Sequence, residues 1–483
     1  MSGQFTRTNN DLSLVGRLRG LVAKFLSCVF NSVHRIRHWK EPERLKSVKD
    51  APLKIAMFSI HSCPIGELGT KDTGGMNVYI RELARELGNR GHRIDIYTRR
   101  HDPQDPQVIE LNENVRVIHL KAGKNGYMHK LDIYPYLSDI TFALEDFRTR
   151  EGIHYDLIHS HYWLSGRVGN WAQNYWKIPH LIMFHTLGAV KNTTGVGEEE
   201  PRLRITTEGQ LVNSCDRIIA ATEREIRELD RFYDAPADRM QIVPCGVDLN
   251  LFRPVEQAAA RRQLGIDPEE KLLLYVGRLE PQKGIERLLA AISHLKQLQK
   301  IKLAVIGGDG HHEPEFQRLL QLSKELDIQD KVFFAGRVDQ QDLPTYYNAA
   351  NLLIVPSHHE SFGLVALEAL ACGTPVVTSD VGAMRSIIVE NETGCVVSPA
   401  DPHGLADTIN AYFKEIRFRF GSPEIIRDSV AKFAWPNIAD ALTEEYVTVL
   451  NQSSRRDLIA PISKPAPLMS ENLTKGGLEA YGE

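Results

Sequence analysis

The chain has 483 residues, 42% of them hydrophobic and 25% charged, with a formal net charge of −4. That length sets a prior of two to three domains, and the composition is that of a globular protein with ample apolar residues for two cores. The charge balance excludes a broad pull towards nucleic acid, no apolar run approaches the roughly 20 residues of a bilayer span, and the six scattered cysteines, with no C-x-x-C pair, argue against a disulfide framework or a zinc site.

Residues 12–40 contain no Asp or Glu but carry Arg17, Arg19, Lys24, Arg35, Arg37 and Lys40. Leu14, Leu18, Leu21, Val22, Phe25, Val29, Val33 and Ile36 recur at helical spacing. A basic amphipathic helix of this kind can lie in a membrane interface, and the same pattern suits a helix docked on the protein's own surface or a poorly ordered extension. Charge interrupts the apolar stretch and no small-residue cleavage site follows, so a secretory signal is not expected. The expected location is the cytoplasm, with peripheral membrane contact through residues 12–40 as the open question.

From Leu53 onward, strand-length apolar runs alternate with helix-periodic segments. Lys54–Ile60 reads as a buried strand, and Val78–Leu87 as a helix with Ile80, Leu83, Ala84 and Leu87 on one face. Strands follow at 93–98, 115–120, 155–160, 180–184 and 217–221, with helices between. Val243–Pro254 is rich in turn formers and reads as a junction, with Gly246 permitting hinge motion. The rhythm restarts at Lys271–Gly277, with strands at 302–307, 331–335, 352–356, 375–379 and 395–398 and helices at 284–299, 315–327 and 363–371. The reading is α/β, two doubly wound Rossmann-like domains at 51–245 and 246–430 facing across a cleft. A helix at 431–452 is expected to pack back towards the first domain, and the Ser-, Pro-, Asn- and Gly-rich tail at 453–483 reads as mobile.

Within this frame Asn351–Ser357 runs as a strand into His358-His359-Glu360-Ser361-Phe362-Gly363, and a helix from Leu364 follows. Gly363 lets backbone approach a ligand, and a helix N-terminus suits a diphosphate. Glu360 and Glu368 lie ~12 Å apart at the rise of a helix. That suits carboxylates gripping hydroxyls at two ends of an extended ligand, and it exceeds the roughly 5–9.5 Å of a hydrolase pair. Glu368 sits among Leu364, Val365, Leu367 and Leu370, so it needs a partner rather than open solvent. Val276–Gly284 links a strand end to a helix start. Its Arg278 can grip a phosphate in two places, and Lys283 adds a point charge. Thr73-Gly74-Gly75-Met76-Asn77 places paired glycines before the first helix, a second anion-friendly N-terminus. His159 and His161 end one strand and His185 another. They read as strand-end polar residues lining a cleft, since metal ligation would need a third ligand that the sequence does not place.

With these residues assembled, the chain resembles the retaining GT-B glycosyltransferases that include sucrose synthases, sucrose-phosphate synthases and the mycothiol-pathway inositol-phosphate N-acetylglucosaminyltransferases. The resemblance covers roughly residues 53–450 and rests on Glu360-x7-Glu368 with Ser361-Phe-Gly363, and on Val276-Gly-Arg-Leu279 with Lys283-Gly284. It implies that Glu360 contacts the donor sugar, Glu368 the ribose, and Arg278 and Lys283 the diphosphate. Backbone near Arg337 is expected to meet the base, and Gly75, Ser361, Phe362, Gly363 and Leu364 to complete the donor site. Glu360, Arg278, Lys283 and His185 are the candidate catalytic residues.

Gly74-Gly-Met-Asn-Val-Tyr79, His159-Ser-His-Tyr-Trp-Leu-Ser-Gly166, His185-Thr186 and Val190-Lys-Asn192 are similar to the inositol-phosphate group. By that likeness Lys130, Tyr162, Thr186 and Arg204 hold an acceptor phosphate and Asn77 the acceptor ring. Lys71 and Thr73 depart from the group's usual Asp-Ala-Gly-Gly context, and the basic N-terminal segment is not part of its pattern. The expected co-substrate is a nucleotide-diphosphate sugar, UDP-linked in the first instance. No cofactor is required, and Mg2+ is permitted rather than implied. A sucrose- or sucrose-phosphate-type synthase is the main alternative, against which Met76-Asn77 argues, and a catalytically inactive sugar-nucleotide-binding protein is the non-enzyme alternative.

Overall fold

The computed structural model describes residues 51–68, 73–308, 313–398, 401–414 and 420–459. The predicted helix at 12–40, the Gly69–Asp72 part of the glycine loop and the tail after Ile459 lie outside the described residues.

The first sheet comprises β1 (Lys54–Phe58), β2 (Arg93–Arg99), β3 (Val108–Asn112), β4 (Val115–Leu120), β5 (Leu157–His161), β6 (His180–Met183), β7 (Arg217–Ala220) and β8 (Met240–Ile242). Their order is β3-β4-β2-β1-β5-β6-β7-β8, parallel throughout except that β3 runs antiparallel to β4. The second sheet comprises β9 (Lys271–Val276), β10 (Ile301–Ile306), β11 (Val332–Gly336), β12 (Leu352–Val355), β13 (Val376–Ser379) and β14 (Gly394–Val397). It is wholly parallel in the order β11-β10-β9-β12-β13-β14. Both sheets lie within one compact unit that starts at Pro52.

The central strands form because their sequences are apolar on both faces. Ile55, Ala56, Met57 and Phe58 are all fully buried, as a parallel strand with helices on either side requires. The Gly75–Asn89 helix buries Tyr79, Ile80, Leu83, Ala84 and Leu87 at helical spacing and stops at Arg90-Gly91, where Gly91 adopts φ 88°.

β3 was not among the expected strands. It is an edge strand carrying Glu110 and Asn112, partly exposed along its length, so it lacks the apolar run that marks the others. The helix expected at 284–299 ends at His294. Beyond it Leu295 and Leu298 are still buried, at 3% and 6% exposure, so the apolar pattern outlasts the helix. The last helix runs from Trp435 to Ile459, past the expected end at 452, since no Gly or Pro interrupts the sequence before Pro461.

Among the described residues three apolar clusters hold the fold. One fills the outer face of the first sheet around Phe58, Trp163, Phe184 and Leu211, and another the outer face of the second around Leu288, Leu289, Val305 and Phe316. The third is continuous from one sheet to the other: Tyr79 and Leu83, then Val247 and Phe252, then Leu367 and Leu370. Trp435, Ile438, Leu442 and Tyr446 of the last helix join it, and that helix packs against Gly75–Asn89. Gly246 meets this helix end. A Cβ there would lie 2.5 Å from the Trp435 ring, so close approach, rather than backbone freedom for a hinge, explains the glycine.

Candidate functional site

In open parallel sheets ligands sit beyond the carboxyl ends of strands, where the strand order reverses direction. Here those points are β1/β5 in one sheet and β9/β12 in the other. A cavity of about 370 Å³ lies at their ends, lined by His61, Tyr162, Arg278 and Glu360 among others. Two non-glycine residues on its wall have positive φ: Tyr162 at 77° and His185 at 60°. Bulky residues pay for that conformation, and such outliers concentrate at functional sites.

On the side of the second sheet, the turn after β9 carries Arg278 and Lys283. Arg278 Nη1 is hydrogen-bonded to Glu280, and Lys283 Nζ donates to Glu360 Oε2 at 2.7 Å. Burial alone would raise the Glu360 pKa. The charge and hydrogen bond of Lys283, with His359 and Arg278, outweigh burial and hold it below the usual carboxylate value. Gly284 (φ 68°) is forced by contact, since a Cβ would lie 2.1 Å from the Pro356 carbonyl oxygen. Gly363 (φ 105°) caps the Leu364–Ala371 helix, and Gly363, Leu364 and Val365 line the cavity. Across the gap, Gly75 faces Leu364 and Gly74 faces Arg278: a Cβ would lie 3.3 Å and 3.6 Å from those side chains.

On the other side, Lys130, Tyr162, Thr186, Lys191 and Arg204 line the cavity. Arg204 is fully buried, with Nε on Glu208 at 2.7 Å, Nη2 on the Thr186 carbonyl and hydroxyl at 2.7 and 2.9 Å, and Nη1 2.9 Å from Glu200. Its guanidinium also lies 4.8 Å from the centre of the Tyr162 ring. Glu200 collects Lys130 and Lys191 as well. Burial would raise its pKa, but Arg204, Lys130 and Lys191 bring it down to about 2.

Asn77 lines the cavity, yet its amide is committed inside the protein. Nδ2 donates to Ser62 Oγ and the Cys63 carbonyl, both at 2.7 Å, and Oδ1 accepts from Gly74 N–H at 3.0 Å. It fixes the entry to the glycine helix.

The histidines form one file, with His159 and His161 buried and His185 partly exposed at its end. His159 Nδ1 is 2.8 Å from Tyr446 Oη of the last helix, and His161 Nδ1 is 3.0 Å from His185 Nε2. Burial pushes His159 and His185 down to about 3 and His161 well below its ordinary value, so all three are neutral near pH 7. Only His185 of the three lines the cavity. Among the described residues no group of three or more His, Cys, Asp and Glu is arranged to hold a metal ion.

Glu368 and Arg337 lie elsewhere. They line an adjoining groove with Glu67, Arg81, Asp248 and Gln340, and Leu364 borders both spaces. Glu368 is 7% exposed and accepts from Tyr347 Oη at 2.7 Å. Burial lifts its pKa to about 7 despite that bond. The two glutamates of the motif thus face two neighbouring spaces, as a long ligand would need.

The structure therefore gathers Gly75, Asn77, Lys130, Tyr162, His185, Thr186, Arg204, Arg278, Lys283, Glu360, Ser361, Phe362, Gly363 and Leu364 around one cavity, with Arg337 and Glu368 next door. Sequence reasoning missed Lys191 and Glu200. Lys191 was legible only as part of Val190-Lys-Asn192. In the Glu198–Glu200 run nothing in the sequence marks which carboxylate turns inward; in the fold the Glu200 N–H donates to Asn192 Oδ1, a residue eight positions earlier.

The model of glycosyltransferase family 4 matches residues 73–251, and that of glycosyl transferases group 1 matches residues 256–419. The chain is 38% identical over 83% of its length to D-inositol 3-phosphate glycosyltransferase 2 of Catenulispora acidiphila, covering 96% of that protein. It is 36% identical over 89% of its length to D-inositol 3-phosphate glycosyltransferase of Geodermatophilus obscurus, again covering 96%. Among solved structures, sucrose-phosphate synthase from Thermosynechococcus elongatus superposes with a TM-score of 0.77 at 35% identity, over 83% of this chain and 100% of that one. Anabaena HepE in complex with UDP-glucose, at 18% identity and a TM-score of 0.58 over 84% of this chain and 99% of its own, shares the fold.

Proposed function

This chain belongs to the GT-B glycosyltransferases, a family 4 half followed by a group 1 half, and on that premise we propose that it moves a hexose or N-acetylhexosamine from a UDP-sugar to a hydroxyl of a phosphorylated polyol, with retention at the anomeric carbon. One observation carries the reading: two sets of cations, Arg278 with Lys283 and Lys130 with Lys191 and Arg204, converge on one cavity from opposite sheets. The first set suits the diphosphate of a donor and the second the phosphate of an acceptor. The relatives named for inositol 3-phosphate favour that acceptor class, and Met76-Asn77 supports it over fructose 6-phosphate.

In the proposed reaction the donor diphosphate lies between Arg278, Lys283 and the Gly363–Val365 helix start. Glu360, kept ionised by Lys283, accepts from donor-sugar hydroxyls. Glu368 and Arg337 take the ribose and base end. The bond between the anomeric carbon and the β-phosphate oxygen breaks, and the acceptor hydroxyl oxygen bonds to the same face of that carbon. Its proton passes to the departing diphosphate, so no enzymic nucleophile is needed. Charge grows on the diphosphate late in this step, where Arg278 and Lys283 stabilise it. His185, neutral and partly exposed on the cavity wall, acts as a shaped polar surface rather than as a titrating acid or base.

The deciding experiment pairs UDP-, GDP- and ADP-sugars with inositol phosphate, fructose 6-phosphate and their unphosphorylated forms. Product from a UDP-sugar and inositol phosphate, with unchanged anomeric configuration by NMR, is expected. Sucrose phosphate as the main product would replace the acceptor assignment, and inverted product would overturn the mechanism.

A further inference from the structure

One carboxylate organises the acceptor side of the cavity. Glu200 Oε1 lies 2.9 Å from Arg204 Nη1 and 3.4 Å from Lys130 Nζ, and it accepts a hydrogen bond from Lys191 Nζ. The three cations come from separate segments: Lys130 from a short turn at Lys130–Ile133, Lys191 from Gly188–Thr193 and Arg204 from the Arg202–Ser214 helix. Like charges brought together in partly buried surroundings repel strongly. A single anion inside their ring offsets that repulsion for all three at once. The cavity wall includes the three cations but not Glu200, so the carboxylate stands behind them, away from the substrate space.

Glu200 is itself held rigidly. Its N–H donates to Asn192 Oδ1 at 2.7 Å, and Asn192 Nδ2 donates to the Glu200 carbonyl at 3.0 Å. Pro201 follows with its φ fixed at the start of the Arg202–Ser214 helix, which sets Arg204 one turn on. The Glu200 side chain is 4% exposed. A surface ion pair would show neither the clamp nor the burial.

We propose that Glu200 is a positioning residue for the acceptor: it gathers Lys130, Lys191 and Arg204 into one cationic wall that receives the acceptor's phosphate. Asn192 serves the same end by fixing Glu200. The inference rests on the phosphorylated-acceptor reading above and adds residues that touch no substrate.

The test is steady-state kinetics of Glu200→Gln, Glu200→Asp and Asn192→Ala with UDP-sugar donor and inositol phosphate. Glu200→Gln is expected to raise the acceptor KM tenfold or more while moving the donor KM less than twofold. Glu200→Asp, which keeps the charge, is expected to recover part of that loss. Asn192→Ala, which leaves every charge in place, is expected to raise the acceptor KM severalfold and keeps the test open should Glu200→Gln fail to fold. A wild-type enzyme that uses phosphorylated acceptors, with acceptor KM unmoved in Glu200→Gln and Asn192→Ala, overturns this inference alone. A wild-type enzyme that uses only unphosphorylated acceptors overturns the acceptor reading, and this inference with it.

Discussion

Two carboxylates of one motif are driven in opposite directions by their surroundings. Glu360 is ionised because Lys283 bonds it at 2.7 Å, whereas Glu368 has only a phenol and an amide for partners and rises to about 7. Lys283→Ala therefore removes two things, the cation proposed for the departing diphosphate and the partner of a partly buried carboxylate. The expected loss in kcat is a hundredfold or more, about 3 kcal/mol for one such contact, with a smaller change in acceptor KM. A depressed carboxylate pKa is favourable above the usual value and that benefit fades as pH falls through the folded value. Without Lys283 the Glu360 pKa rises, so the acid limb of the activity profile should move to higher pH. Glu368 has the reverse sign. Its raised pKa means that the folded protein holds a proton up to about 7, and the cost of ionising it is felt as pH rises from the usual carboxylate range through that value. A donor whose ribose hydroxyls bind the ionised form is expected to bind more tightly as pH rises through about 7, with proton release. Calorimetric titration between pH 5.5 and 8.5 checks this, and Glu368→Gln should flatten the dependence.

The turn after β9 and the segment that follows β12 are locked to each other by backbone contact. Gly284 marks the place where the Pro356 carbonyl passes within van der Waals range, and Lys283 beside it reaches Glu360. Gly284→Ala puts a methyl group into a backbone atom that cannot step aside, since Pro356 directly follows β12. The expectation is a destabilisation of about 3 kcal/mol or more, in the range of severe strain and overpacking, with a parallel fall in kcat. Gly91→Ala is the control. It shares a positive φ of 88° but has open space around its Cβ, so it should cost only about 1–2 kcal/mol, the left-handed penalty alone. Thermal melting of the two variants separates contact from conformation.

At the scale of the whole molecule, the last helix ties the two sheets. It starts in the apolar cluster shared by both sheets, packs along the Gly75–Asn89 helix, and sends Tyr446 to His159 in β5. Among the described residues His159 Nε2 has no hydrogen-bond partner, so Nδ1 carries the only bond found there for a fully buried ring. Tyr446→Phe is expected to cost about 1–3 kcal/mol, the penalty for stranding a buried polar group. The cost should be visible as a lower melting temperature with donor KM unchanged, because Tyr446 lies off the cavity wall. Arg224 of the first half also donates to the Asp380 carbonyl of the second at 3.0 Å, and Gln282 to the Val196 carbonyl at 3.0 Å. The Gln282 contact joins the donor turn to the segment that ends at Glu200.

The sequence by itself determined the two parallel sheets, because strands buried on both faces must be written as unbroken apolar runs. Ile55–Phe58, Leu272–Tyr275 and Leu352–Val355 are such runs. It also determined the motif proposed for the donor, since Glu360, Gly363, Arg278 and Lys283 lie in short segments that meet at one cavity. Edge strand β3, half-exposed and polar, left no such mark. The acceptor side depended on tertiary structure. Lys130 is remote in the chain from Lys191 and Arg204, and the three come together around Glu200. The placement of Glu368 in a second space, its partner Tyr347, and the commitment of Asn77 to Ser62, Cys63 and Gly74 were likewise decided by packing. A local pattern can specify which face of an element is buried, but which charge a buried carboxylate meets is set by segments that sequence distance does not order.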